Sequence, residues 1–176
     1  MDEIVVSVFG SGGARPNERA CTLAEQVGRA LAQAGFAIAN GGYGGTMYAS
    51  AKGAAEAGGK VIGVTCSAFK SSVANEYVTD TIVTASLEER LSTLVRLGRA
   101  YVVLPGGTGT LLELAMVWEL KNKGFLDRAK PIILLGGFWK PLVDLVATDD
   151  PRGVKSTVFA EGPEQAVAMI KEALGT

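Results

Sequence analysis

The chain contains no histidine. That single absence removes Ser-His-Asp and Cys-His nucleophilic catalysis, histidine general bases and histidine-ligated zinc. Any chemistry must run on Glu, Asp, Arg, Lys, Ser, Thr or Tyr, and no metal site is expected. Cysteine is almost as scarce. Cys21 and Cys66 lie far apart, have no CxxC spacing, and read as free thiols of a cytosolic protein. No apolar run approaches the roughly 18 residues that a membrane span needs. Neither sign of charge dominates: 17 basic and 18 acidic residues are interspersed, for a net charge of −1. A duplex-sized basic face is therefore lacking, and nucleic-acid polymers are not expected partners. Met1-Asp2-Glu3 leads straight into a strand-like run without the basic start of a signal peptide, so the expected location is the cytoplasm.

Glycine, by contrast, is abundant, with 23 residues clustered at the ends of apolar runs. With 48% apolar and 20% charged residues, the 176-residue chain is globular and long enough for a sizeable core. Ile4–Phe9, Phe36–Asn40, Lys60–Thr65, Tyr101–Leu104 and Lys130–Leu135 are short, β-branched runs that read as buried parallel strands. Thr81–Thr84 and Thr157–Phe159 are shorter candidates. Helical periodicity follows from about Glu18 to Ala34, Met47 to Ala57, Leu87 to Leu97, Leu111 to Leu120, Phe138 to Ala147 and Pro163 to Leu174. Ser86 with Glu89 three residues on is a capping box that opens the third helix. Residues 66–77 lack periodicity and read as a surface loop, a candidate lid. The alternation predicts an α/β, doubly wound, mostly parallel sheet of about six or seven strands with helices on both faces. Residues 1–176 are expected to form a single domain.

Three glycine-rich corners follow three of these strands: Gly10-Ser11-Gly12-Gly13, Gly41-Gly42-Tyr43-Gly44-Gly45-Thr46 and Gly106-Gly107-Thr108-Gly109-Thr110. In doubly wound sheets ligands bind outside the carboxyl ends of the strands, so all three corners are expected on one rim. Backbone N–H groups at a helix start, at the positive end of its dipole, make such a corner a phosphate site. Gly10, Ser11, Gly12, Arg15, Gly41, Gly42, Gly45, Thr46, Gly106, Gly107, Thr108, Gly109 and Thr110 are the expected phosphate- or nucleotide-binding residues. The dinucleotide fingerprint fails in detail, because Gly10–Arg15 lacks its third glycine and the second strand ends in Asn40 rather than an acid. No segment matches the P-loop. The ligand class that remains is a mononucleotide or another small phosphate ester.

Pro105-Gly106-Gly107-Thr108-Gly109-Thr110-Leu111-Leu112-Glu113 resembles the PGGxGTxxE hallmark of the Lonely Guy (LOG) family, and the resemblance extends over nearly the whole chain, including the GGxxGxM element at Gly41–Met47. It implies a Rossmann-like fold, a homodimer or higher homo-oligomer, and a phosphoribohydrolase that splits cytokinin riboside 5′-monophosphates or AMP into free base and ribose 5-phosphate, with no cofactor. It implies Arg90, fifteen residues before Pro105, and Glu113 as the catalytic pair. Leu91 stands where the family carries lysine after that arginine, and Leu112 replaces the first of two acids. Related superfamily members include molybdenum-cofactor carrier proteins, so the alternative is a non-catalytic nucleotide or molybdenum-cofactor binding protein. The lysine decarboxylase label that members often carry does not fit, since no lysine stands near the glycine corners for a Schiff base.

The chemistry suits these residues. Cleaving a ribosyl C–N bond builds positive charge on the sugar, which a carboxylate such as Glu113 stabilises or answers by orienting water. Arg90 either pairs with Glu113 or contacts substrate. Tyr43 is a candidate for stacking on a base. The helix carrying Leu111, Met116, Val117, Trp118 and Leu120 is apolar nearly all round, which predicts burial both in the core and in a subunit interface.

Overall fold

The computed structural model describes residues 3–14, 18–70 and 73–176. Seven strands, β1 (Val5–Phe9), β2 (Ala37–Asn40), β3 (Val61–Cys66), β4 (Asp80–Thr84), β5 (Ala100–Val103), β6 (Ile132–Leu135) and β7 (Thr157–Ala160), form one sheet in the order β4-β3-β2-β1-β5-β6-β7. Every neighbouring pair is parallel. Six helices accompany them: α1 (Arg19–Gln33), α2 (Thr46–Glu56), α3 (Leu87–Leu97), α4 (Thr108–Asn122), α5 (Lys140–Ala147) and α6 (Pro163–Leu174). The chain builds outwards from β1 to the β4 edge. It then returns through α3 to lay β5 on the other side of β1. The strand order reverses between β1 and β5, and a crevice opens there at the carboxyl ends of the strands. The α/β, doubly wound reading holds, with all seven strands parallel.

The inner strands β1, β2, β3, β5 and β6 read as apolar runs because both sheet faces are covered there. Successive side chains still alternate between faces. Val6 and Val8 of β1, Val102 of β5 and Ile133 and Leu135 of β6 meet α1, α2 and α6. Phe9, Tyr101, Val103, Ile132 and Leu134 meet α3, α4 and α5. Among the described residues no helix is long and apolar enough to cross a membrane.

As the sequence reading had it, β4 follows β3 with no helix between them among the described residues, and it forms a largely exposed edge. One feature differs from that reading. α4 begins at Thr108 rather than Leu111, because glycine's poor helix propensity makes Gly-Thr-Gly-Thr read as turn while the open end of the helix tolerates it. Glu113 consequently sits in the second turn of α4, not the first. Within the single chain α4 buries Thr110, Glu113, Leu114, Val117 and Trp118 against the core and leaves Leu111 and Leu112 exposed.

Candidate functional site

The first two glycine corners are bound to each other. The Ser11 carbonyl, after β1, accepts both the Thr46 N–H (2.9 Å) and the Thr46 hydroxyl (3.2 Å). Gly45 makes this possible: its φ of 63° is a left-handed conformation, and a Cβ there would strike the Ser11 carbonyl oxygen. Asn40 completes the lock. Its Oδ1 accepts from the Gly42 N–H (2.8 Å), and its Nδ2 donates to the Met47 carbonyl (2.9 Å) and the Ser50 hydroxyl (3.0 Å). An aspartate at this position would have no hydrogen to donate to Met47. That is a structural reason for the asparagine that ends β2.

The third corner is open. No side chain caps α4, and Gly107, Thr108 and Gly109 at its start are exposed. The first N–H groups of the helix point outwards at the positive end of its dipole. The Thr110 hydroxyl, turned towards Gly106, is buried without a hydrogen-bond partner among the described residues.

Arg90, on α3, and Glu113, on α4, meet across this rim. Arg90 Nη1 lies 3.7 Å from Glu113 Oε1, and both side chains are about nine-tenths buried. The separation is short enough for strong Coulomb attraction but too long for a hydrogen bond. Burial pushes the Glu113 carboxyl up, to a pKa of about 7, and the Arg90 charge offsets part of that rise. Arg90 is fixed by other contacts. Its Nε donates to the Val64 carbonyl at the end of β3 (2.8 Å), and its Nη2 approaches the Met47 thioether (3.9 Å). The rings of Tyr43 and Phe69 flank the guanidinium at 5.6 and 5.9 Å. Gly41 lies directly beneath it, where a Cβ would collide with Arg90 Nη2 and Met47 Sδ. Gly10, Gly12, Tyr43, Met47, Phe69, Leu87, Leu91, Gly109 and Leu112 join Arg90 and Glu113 around a pocket of about 320 Å³.

The structure therefore brings Gly10, Gly12, Gly109, Arg90 and Glu113 to one pocket, with Gly106, Gly107, Thr108 and Thr110 in the corner at the start of α4. Gly41 backs Arg90, while Gly42, Gly45 and Thr46 shape and lock the second corner. The Ser11 hydroxyl accepts from the Gly13 N–H (3.2 Å). Arg15 lies outside the described residues. Arg96 and Arg99 are exposed, Arg96 donating to Thr93 of its own helix. Sequence reasoning missed Phe69 and Leu87 as pocket walls. The one signal for Phe69 was an aromatic residue in an otherwise polar loop.

Residues 3–167 match the SLOG cluster4 family. The chain belongs to that family. Its membership sets it within the Lonely Guy, Rossmann-like superfamily. A cytokinin riboside 5′-monophosphate phosphoribohydrolase of Rhodococcoides fascians is 32% identical over 129 residues, covering 70% of this chain and 64% of that enzyme. A pyrimidine/purine nucleotide 5′-monophosphate nucleosidase of Escherichia coli K12 is 32% identical over 134 residues, 71% of this chain but 30% of that enzyme. The chain thus spans less than two thirds of both. Among solved structures, the molybdenum cofactor carrier protein of Chlamydomonas reinhardtii superposes with a TM-score of 0.79 at 26% identity, over 99% of this chain and all of that one.

Proposed function

We propose that this member of the SLOG cluster4 family is a nucleoside 5′-monophosphate phosphoribohydrolase, releasing free base and ribose 5-phosphate. The observation that carries the reading is Glu113, buried beside Arg90 and on the same helix as the open phosphate corner. Five residues separate Thr108 from Glu113, a rise of about 7.5 Å along the helix. Helix side chains lean towards the N-terminus, so the carboxylate is aimed back at the corner. A phosphate held by the N–H groups of Gly107, Thr108, Gly109 and Thr110 and by the free Thr110 hydroxyl brings the anomeric carbon of its ribose to Glu113. Binding energy from the phosphate then serves to orient the sugar. Ionised Glu113 stabilises the oxocarbenium-like transition state or takes a proton from the attacking water. Arg90 keeps a share of Glu113 ionised and offers its remaining N–H groups to the ligand. The named activities of the two enzyme relatives support this reading.

The test is incubation with AMP and with isopentenyladenosine monophosphate, with free base measured by chromatography. Base release is expected. None at high enzyme concentration rejects the proposal. A second reading, a carrier of a nucleotide or of the molybdenum cofactor, is favoured by the full-length match to the carrier protein and by the leucines at 91 and 112 in the pocket wall. The same phosphate corner serves either ligand. This reading predicts thermal stabilisation by ligand without turnover. The exposed Leu111 and Leu112 beside the pocket support a homodimer formed through α4, which light scattering of the pure protein tests as a doubled mass.

A further inference from the structure

Two buried opposite charges that face each other across 3.7 Å ought to close into a hydrogen-bonded pair, because attraction in a low-dielectric interior rises steeply as the distance falls. Here they do not. The guanidinium is held from the other side. The Val64 carbonyl takes Nε, the Met47 thioether meets Nη2, and the guanidinium carbon lies over the Tyr43 and Phe69 rings. These contacts come from β3, α2, the second corner and the segment after β3, none of which carries Glu113.

The cradle is itself braced. The Tyr43 hydroxyl accepts the Cys66 N–H (2.7 Å), which fixes its ring. Asn75 holds the same corner from its other side, donating from its N–H to the Gly42 carbonyl (2.8 Å) and from Nδ2 to the carbonyls of Gly42 (3.0 Å) and Tyr43 (2.9 Å), and the Phe69 N–H donates to the Cys66 carbonyl (3.2 Å). The Tyr43 and Phe69 rings contact each other, with centres 5.9 Å apart. Gly41 leaves the space into which Nη2 is drawn.

We propose that Tyr43, Met47 and Phe69 are positioning residues that hold Arg90 short of a closed ion pair with Glu113, leaving the carboxylate able to exchange a proton and the guanidinium able to receive a ligand. This rests on the assignment of Arg90 and Glu113 as the functional pair, and it adds what sets their separation. The titratable groups facing Glu113 in the pocket are Arg90 from α3 and the Tyr43 phenol from the second corner, so Arg90 is the one charge beside it among the described residues. Releasing the cradle lets Arg90 approach, which favours the ionised carboxylate.

The experiment is an NMR pH titration of the Glu113 side-chain carboxyl carbon in glutamate-labelled protein, the resonance being assigned by its loss in Glu113→Gln. Phe69→Ala, Met47→Ala and Tyr43→Leu are each expected to lower the Glu113 midpoint by about one unit. Tyr43→Phe, which keeps the ring but loses its bond to Cys66, is expected to lower the midpoint by less than Tyr43→Leu does. Midpoints in the first three variants that stay within about 0.2 units, or that rise, overturn the proposal. Phe69 is 38% exposed, so Phe69→Ala gives a folded variant even if Met47→Ala does not. The titration reads Glu113 whether or not the protein turns over a nucleotide, so a failed hydrolase assay and a failed cradle are separate results.

Discussion

The glycine corners after β1 and β2 and the corner after β5 look alike in sequence and do opposite work. In the first pair the polar groups tie the two corners to each other: the Ser11 carbonyl takes two hydrogen bonds from Thr46, and the Asn40 side chain bonds Gly42, Met47 and Ser50. In the corner after β5 the helix has no capping side chain and the Thr110 hydroxyl has no partner among the described residues. Under the proposed function the locked corners give the site its shape, and the open corner keeps donors for a ligand. A glycine-rich strand end is thus no indicator of ligand contact in itself. What distinguishes a site is which of its donors the fold has left unused.

The sharpest way to test that division is to remove the group the open corner serves. Glu113→Gln keeps shape and hydrogen-bonding capacity but cannot ionise. Nucleotide hydrolysis is expected to fall about a thousandfold, with ligand affinity nearly unchanged, as read from single-turnover base release alongside calorimetric binding. A variant that retains half of the parent rate would leave Glu113 outside the chemistry.

Breaking the lock should instead act on the fold. Gly45→Ala places a methyl group on the Ser11 carbonyl at a left-handed backbone position. It is expected to cost about 3 kcal/mol in urea unfolding, through strain and overpacking together. Ligand affinity should fall only in proportion to the folded fraction.

The pH dependence of stability separates the buried carboxyl from the rest of the fold. Glu113 has a folded pKa of about 7, above its ordinary value of 4.5. Between those two values the folded state holds the proton and the unfolded state does not, so this group's contribution to stability falls as pH rises through that window. Glu113→Gln mimics the protonated form. Relative to the parent it should gain up to about 3 kcal/mol at pH 8 and almost nothing at pH 4, measured by denaturant unfolding at both values. Equal stability differences at the two pH values would mean that Glu113 titrates normally.

Smallest in stability terms is Thr110→Val. Its hydroxyl has no partner among the described residues to lose, so the unfolding free energy should stay within about 0.5 kcal/mol of the parent or rise. Affinity for ribose 5-phosphate should drop about tenfold, since a hydrogen bond to a charged phosphate is lost. A stability loss without an affinity loss would place Thr110 with the locked corners.

Much of this architecture could be read from residues close together in the chain. The inner strands announce themselves as apolar runs because both of their faces are covered. The capping box also holds: Ser86 Oγ accepts the Glu89 N–H at 3.2 Å, and the Glu89 carboxylate reaches back to the Ala85 N–H at 2.7 Å. Where the signal was local but ambiguous, the reading slipped, as at the start of α4. For Tyr43 the sequence offers two readings, stacking on a base or, as for any tyrosine in a glycine-rich turn, a place on the turn surface. The structure gives it a third, pinned to Cys66 and lying over Arg90. The candidate lid likewise has Cys66 as the last residue of β3, and its later part is fastened through Asn75.

The sequence by itself determined the alternation of strands and helices, the three glycine corners and the family hallmark that ends in Glu113, because periodicity, propensity and short motifs act between residues near one another in the chain. Only the tertiary structure decided which corners are closed and which is open, and that Arg90 is gripped by Met47, Val64, Tyr43 and Phe69 rather than by Glu113. Those partners lie on different elements. Whether a hydroxyl, a carbonyl or a charge is already satisfied depends on what the sheet brings beside it, and so does the proton affinity of Glu113, which burial sets.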